Sequence, residues 1–416
     1  MPGLAFFDGE QILRVLFLIL LSGIVVLTVI SVFLVKSFKG RFGNRAYWFA
    51  PVPFFVAAGS LYFWYWTERP ISGPPDALVG ADAVSFMESK IGSGSDFGYW
   101  GLAFFHGKLY VSTNLGLLEI ESGNISKLYR FQRQYSVVSG PWADAADKLL
   151  WVEDEQTRGL ASFDGAKWTR VPMPSGLAPN PDSLPQFVGN ARGFWAVVGG
   201  SVWLWNSDGA AWVPENTPKP PSPGEGVIGV MPLGGQLLFI ERHELLPFLV
   251  RPNEEFKSDT VVVLDGSWRE VRGEPGLRFM VDSSAVTDDA GYICTTTGDI
   301  LRVTTQQIAK IDTPGECEAL APSSGKLVAG FRRKGIYEYQ GDKWYVRAAH
   351  PYPSGEGSYW SHLAVDGAGL SYAITGRPVV DRTASSGRDM EFTRNAPTSL
   401  WVLRGPEFQQ VIVGRP

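Results

Sequence analysis

Residues 320–344 read LAPSSGKLVAGFRRKGIYEYQGDKW, and two turn signals divide them. Gly325 sits in a small turn ahead of an alternating apolar run. Gly341 sits in a second turn that ends on Trp344. Side chains on a strand point to opposite faces in turn, so period-two alternation after a tight glycine turn marks a β-hairpin. Two hairpin turns in one unit make four strands.

The layout recurs through residues 100–413. The first turn and its strand read HGKLYV (106–111), ADKLLWV (146–152), ARGFWAV (191–197), GGQLLFI (234–240), AGYICT (290–295), SGKLVA (324–329) and AGLSYA (368–373). The second turn reads ESGNI (121–125), FDGAKW (163–168), SDGAAW (207–212), LDGSW (264–268), YQGDKW (339–344) and LRGPEF (403–408). Asp-Gly and its relatives supply the positive φ that such turns need. One four-stranded propeller blade spans about 40–45 residues, close to the spacing of these copies. The expected fold is therefore all-β, a seven-bladed β-propeller over residues 99–416. The Trp after the second turn should begin the outermost strand and pack its ring against the next blade.

DSLPQFVGNARGFWAVVGGSVWLWNSDGAAW (182–212) and the stretch at 320–344 resemble the propeller repeats of two-component regulator sensor ectodomains. The resemblance covers most of the propeller region. It implies ligand sensing outside the cytoplasm, although the kinase and receiver parts that accompany such repeats are absent.

Towards the N-terminus the pattern changes. Residues 15–35 (VLFLILLSGIVVLTVISVFLV) and 46–67 (AYWFAPVPFFVAAGSLYFWYWT) carry no charge. Each is long enough to cross a bilayer as a helix, which takes about 20 residues. Asp8 and Glu10 precede the first run and no A-x-A-like site follows it, unlike a signal peptide. Lys36, Lys39, Arg41 and Arg45 lie between the runs, which places residues 36–45 in the cytoplasm. The expected plan is an outer N-terminus (1–14), a two-helix transmembrane hairpin (15–35 and 46–67), a linker (68–98) and the propeller as an ectodomain. Such a chain would sit in a bacterial inner membrane, with its propeller on the periplasmic or extracellular side and the lipid bilayer as one partner.

Residues 1–66 carry a net charge of +3 and the remainder −8. A mildly acidic ectodomain argues against nucleic acid as a partner. Cys294 and Cys317 are the two cysteines. A bridge between them would stabilise by roughly 3 kcal/mol in the chain-entropy model. Two buried free thiols are the alternative, because the mid-strand Cys294 and the strand-opening Cys317 are expected at different heights.

Candidate binding residues follow from the insertions. ERHELLPFLVRPNEEFKSD (241–259) and TGRPVVDRTASSGRDMEFTRNAPTS (375–399) fall between the second and third strands of their units. Such connections share one face with the long loops 173–183, 214–226 and 347–357. The candidates there are His243, Arg251, His350, Tyr352, Tyr359, Trp360, His362, Asp381, Arg382 and Arg388. His243, His350 and His362 lack metal-ligand spacing, so neither a metal nor a cofactor is expected. Tyr99–Trp100 and Tyr359–Trp360 begin neighbouring units, where they would stack on a ligand or pack across the closing seam. No Ser–His–Asp or Cys–His constellation can be read from the spacing. These features favour a protein-binding scaffold or accessory subunit of a membrane or periplasmic complex. A sensor acting through a separate kinase and a glycan hydrolase or lyase are the alternatives, and a small-molecule or glycan ligand fits either.

Overall fold

The computed structural model describes residues 29–41, 43, 52, 74–91, 99–131, 138–143, 148–154, 159–173, 186–190, 193–198, 201–206, 208, 210–217, 225–233, 236–243, 259–265, 267–271, 278–323, 325–349, 357–366, 371–379, 399–404 and 407–413. The chain divides into two units, Met1–Arg69 and Pro70–Pro416. In the first, residues 29–41 form helix α1.

The expected transmembrane hairpin is corrected here. Among the described residues no helix is long and apolar enough to cross a membrane. A crossing needs about 20 apolar residues. The described part of helix α1, residues 29–41, is shorter than that and runs on through Lys36, Lys39 and Arg41, past the boundary drawn at residue 35. Most of 15–35 and 46–67 lies outside the described residues.

The second unit is an all-β propeller, but not one of seven equal blades. Six sheets are four-stranded blades and one has five strands. Sheet 1 holds strands A (Tyr99–Phe105), B (Lys108–Thr113), C (Gly116–Glu121) and D (Asn124–Arg130), with Asp76–Val79 added outside D. Blades 2 to 7 follow in chain order, at Val138–Val171, Gln186–Pro214, Glu225–Val271, Phe279–Ile311, Cys317–Ala349 and Gly357–Val413. In each, A is innermost and D outermost, and all neighbours are antiparallel. The A strands contact one another in succession, and that of blade 7 contacts that of sheet 1, which closes the ring.

The fifth strand lies within the stretch expected to be a linker. Its four residues, DALV, are too few to show alternation, and they gain their hydrogen bonds from strand D in the register Asp76↔Arg130 to Val79↔Lys127. Helix α2 (Ala81–Ile91) follows. Ala83, Phe86 and Met87 recur at helical spacing and form its apolar stripe. That stripe packs on Leu109, Val111 and Leu118 of sheet 1 and on Leu400 and Val402 of blade 7. The strand and helix therefore cover the seam at which the ring closes.

Burial explains the sequence pattern. Strands B and C lie between neighbouring sheets, so both of their faces are covered. Lys108–Thr113, Gly291–Thr295 and Lys326–Phe331 are buried almost throughout. Strands D, such as Ala211–Pro214 and Ile308–Ile311, stay largely open to solvent. The hairpins turn as the glycines require. Ser122 and Gly123 have φ of 53° and 83°, and Gly341 and Asp342 have 56° and 61°. Both central residues are left-handed, the geometry that matches strand twist.

Each outer tryptophan reaches backwards, not forwards as its position after the turn suggested. Trp212 in blade 3 donates its Nε1–H to Pro172 O of blade 2 at 2.8 Å. Trp344 in blade 6 donates to Asp312 O of blade 5 at 2.7 Å. Trp268 of blade 4 packs with Trp195 and Val197 of blade 3. Sheet twist brings the start of one D strand to the end of the preceding one.

Between blades 5 and 6 the tie is covalent. Cys294 and Cys317 form a disulfide with their Cα atoms 5.7 Å apart. Strand Gly291–Thr295 is short, so Cys294 stands beside its exit. The Cys317 N–H donates to Gly298 O in the adjoining turn at 2.7 Å, which brings the two residues level. Replacing both by alanine should lower stability by about 3 kcal/mol, the closure entropy of a loop this size. Urea melts of the variant and of the parent with and without reductant check this. Reductant should shift the parent towards the variant and leave the variant unmoved.

Candidate functional site

The structure places some of the sequence-derived candidates. His243 ends strand B of blade 4, paired with Glu225. Tyr359, Trp360 and His362 lie on strand A of blade 7, with a bulge between Trp360 and His362. Tyr99 and Trp100 lie on strand A of sheet 1, next to that strand. Arg251, His350, Tyr352, Asp381, Arg382 and Arg388 lie outside the described residues. Among the described residues no group of His, Cys, Asp and Glu could hold a metal ion. Burial pushes the His362 imidazole from its ordinary 6.5 down to about 4, so it is neutral at physiological pH.

Several buried carboxylates escaped the sequence reading, and two of them share one arrangement. Glu119 lies on strand C of sheet 1 and is 1% exposed. Its Oε1 accepts from Lys108 Nζ and Ser126 Oγ, both at 2.9 Å. Its Oε2 accepts from Tyr110 OH at 3.0 Å and Tyr129 OH at 2.9 Å, and Lys127 Nζ stands 3.6 Å from Oε1. Burial alone would raise this carboxyl. Hydrogen bonds from Lys108, Ser126 and Tyr129 and the Lys127 charge outweigh it and bring the group from 4.5 to about 2. Burial and the Glu119 charge push both tyrosines well above the ordinary range.

Glu338 repeats the device in blade 6. Its Oε1 accepts from Lys326 Nζ at 2.8 Å, and its Oε2 accepts from Arg347 Nε at 2.8 Å and from Arg347 Nη2. Burial raises its carboxyl, but Lys326 and Arg347 pull it below the usual range. The repeat carried the signal: GKLY and GKLV place lysine just after the turn glycine, and LEIE and YEYQ place an acid between two apolar or aromatic residues of the strand. Strand pairing sets Tyr110 opposite Glu119 and Val328 opposite Glu338, at equivalent positions. These carboxylates are filled by internal donors, so they hold their sheets together and are not free to move a proton for a substrate.

The Glu119 cluster also shapes the seam with blade 2. Tyr110 and Tyr129 meet Phe163 at centroid distances of 6.2 and 5.8 Å. Tyr129 meets Trp168 edge-on at 5.3 Å. Beside Trp168 on the outer rim is a cavity of about 240 Å3, lined by Pro74, Pro75, Phe131, Ala161, Lys167, Trp168, Thr169 and Arg170. Sequence reasoning missed it because Pro74 and Pro75 precede a strand that was read as linker.

No family model and no curated protein matches the chain. Among solved structures it is similar to the extracellular domain of a one component system from B. thetaiotaomicron, with a TM-score of 0.44 and 11% identity, covering 73% of this chain and 38% of that one. It is similar to the extracellular domain of a hybrid two component system from the same organism, with a TM-score of 0.41 and 11% identity, covering 67% and 38%. It is also similar to regucalcin, a calcium-binding protein from Agrobacterium tumefaciens, with a TM-score of 0.36 and 13% identity, covering 60% and 84%. The chain thus spans well under half the length of the first two.

Glu119→Gln should cost about 2 kcal/mol, because it leaves two buried tyrosines and the half-exposed Lys108 without their ionised acceptor. The folded carboxyl titrates near 2 and the unfolded one near 4.5. Its contribution is therefore full above pH 4.5 and fades as pH falls towards 2. Urea midpoints across that range should converge for parent and variant at the acid end. His362→Gln should act over a different window. The unfolded imidazole gains its proton near 6.5 and the folded one near 4. Acid therefore destabilises the parent by up to about 3 kcal/mol between those values, and the variant should lose that slope.

Proposed function

We propose that this propeller is an extracytoplasmic binding module, a scaffold or accessory subunit for a protein complex of the cell envelope. Two observations support the compartment and the role. Disulfides persist in oxidising compartments, and Cys294–Cys317 is buried at a blade seam. The two long B–C connections, residues 244–259 in blade 4 and 380–398 in blade 7, carry the role. The others in the ring run 114–115, 155–158, 199–200, 296–299 and 332–334. Connections from B to C leave every sheet on the same side, so both inserts belong to one face. Long loops on a rigid frame are often functional.

The blade 4 insert is tied down where it returns. Asp259 is 4% exposed, and its Oδ2 accepts from the Phe279 N–H at 2.8 Å. Arg278 Nη1 stands 3.6 Å from its Oδ1. An anchored loop base limits the entropy lost when a partner docks. The candidates Arg251, Asp381, Arg382 and Arg388 belong to these two inserts.

The repeat resemblance favours a second reading, a ligand sensor that signals through a separate kinase. The two differ in what co-purifies: a kinase for the sensor, other envelope proteins for the scaffold. The test shortens 244–258 and 380–398 to glycine-containing turns of the length found in the other blades. The shortened chain should keep its melting temperature and lose the envelope proteins that the parent captures after cross-linking. Capture of the same proteins in the same amounts would overturn the assignment of that face.

A further inference from the structure

Sheet 1 takes a fifth strand from the chain itself, and blade 6 presents an edge of the same kind. Strand D of sheet 1 runs seven residues, Asn124–Arg130, and Asp76–Val79 fill its outer edge. The Gly80 N–H continues the pairing by donating to Ser126 O at 2.9 Å. Asp76 opens the added strand, with its Oδ2 3.7 Å from Arg130 Nη2. Leu128 of strand D is buried with Leu78, Ala83 and Met87 of the added segment. In blades 2 to 5 strand D has only four or five residues, which leaves little edge to pair. Blade 6 returns to seven, Lys343–Ala349, and among the described residues no strand lies outside it. Strand D of blade 7, Glu407–Val413, is as long. What marks blade 6 is a pair of apolar side chains left in water on that edge: Tyr345 is 51% exposed and Val346 62%.

We propose that the outer edge of blade 6 takes up an extended segment of a partner protein as a fifth strand, one that opens on an acid and continues with apolar residues. The two edges can be aligned from their hairpins. Glu121 pairs with Asn124 and Gln340 with Lys343, so Ala349 stands as far from its turn as Arg130, and Val346 as far as Lys127. The register of sheet 1, Asp76↔Arg130 to Val79↔Lys127, then sets the partner's first residue opposite Ala349 and its fourth opposite Val346. Ala349 pairs with Gly335, which follows the exposed Arg333 and Lys334, so positive charge stands near the first position. An acid there takes the part that Asp76 takes beside Arg130. An apolar fourth residue covers Val346 as a cross-strand pair. Main-chain hydrogen bonds along the edge supply affinity, and these side chains supply the choice of partner. A second copy of this edge fits poorly: KWYVRAA carries Lys343 and Arg347 and no acid, so two such strands meet with like charges. The surface lies on the outer rim and uses neither of the long inserts of blades 4 and 7.

The test uses the full chain with 15N-labelled tyrosine and valine, and as probe a synthetic peptide of residues 74–80, PPDALVG, capped at both ends. Tyr345→Phe and Val346→Ala identify the two backbone amide resonances by their disappearance or shift. The peptide should move both resonances saturably. It should also slow hydrogen exchange at one of them by about tenfold, because N–H groups of neighbouring strand residues point to opposite sides. A peptide with Asp76→Asn should bind about threefold more weakly, the effect of one exposed charge contact. Val346→Glu should raise the midpoint for the parent peptide at least about fivefold. That side chain is exposed, so the fold should persist, as an unchanged melting curve verifies. No saturable shift up to about 10 mM peptide would overturn the proposal. So would a shift with unchanged exchange, or an unchanged midpoint in Val346→Glu. A parent dimer that Val346→Glu dissociates in sedimentation would overturn it in favour of a second copy on this edge.

Discussion

The whole ring depends on sheets burying both faces against their neighbours. A lone four-stranded blade cannot cover the apolar faces of its B and C strands. Stacking seven sheets in a closed circle covers all of them and leaves only the outer strands to solvent. The inner strands approach closely at small residues. A side chain on Gly101 would strike the Gly140 carbonyl of blade 2, and one on Gly189 would lie 2.7 Å from Ala143 O. Farther out, aromatic rings fill the widening gap. Trp151 of blade 2 stacks on Phe194 of blade 3 at 4.4 Å, and Phe105 of sheet 1 meets Phe163 of blade 2 at 6.2 Å.

The polar devices serve that packing. Glu119 fixes the hydroxyl ends of Tyr110 and Tyr129, whose rings then meet Phe163 and Trp168 across the seam. Ser283 Oγ donates to Glu318 O across the next blade's inner strand at 2.9 Å, close to the disulfide that joins the same two blades. Stiffness at the seams matters for the proposed role, because loops on a rigid ring present their side chains in a constant arrangement. The closing seam lacks a covalent tie among the described residues and is covered instead by helix α2.

The hairpins were legible because their turns need particular residues. HGKLYV and YQGDKW carry the left-handed positions in their own letters, and the structure places strand ends there. The outer strands and the seams were harder. A four-residue strand such as Asp76–Val79 has no period to detect, and only a free edge on Arg130–Lys127 makes it a strand. The direction in which Trp212 and Trp344 reach depends on sheet twist, which local sequence does not encode. Glu119 and Glu338 looked like ordinary polar residues, because the donors that hold them come from other strands of the same sheet. The apolar N-terminal runs misled for a related reason. Hydropathy reports the cost of water contact, not where a helix begins and ends.

The amino-acid sequence by itself determined that this is an all-β repeat protein, where its hairpins turn, and which units carry long insertions. These follow from local rules of backbone conformation and alternation. Only the tertiary structure decided the five-stranded first sheet, the bridging of Cys294 to Cys317, the filling of the buried carboxylates, and the cavity beside Trp168. Each of these depends on what a neighbouring sheet presents at a given height, and that is set by the closure and twist of the ring as a whole.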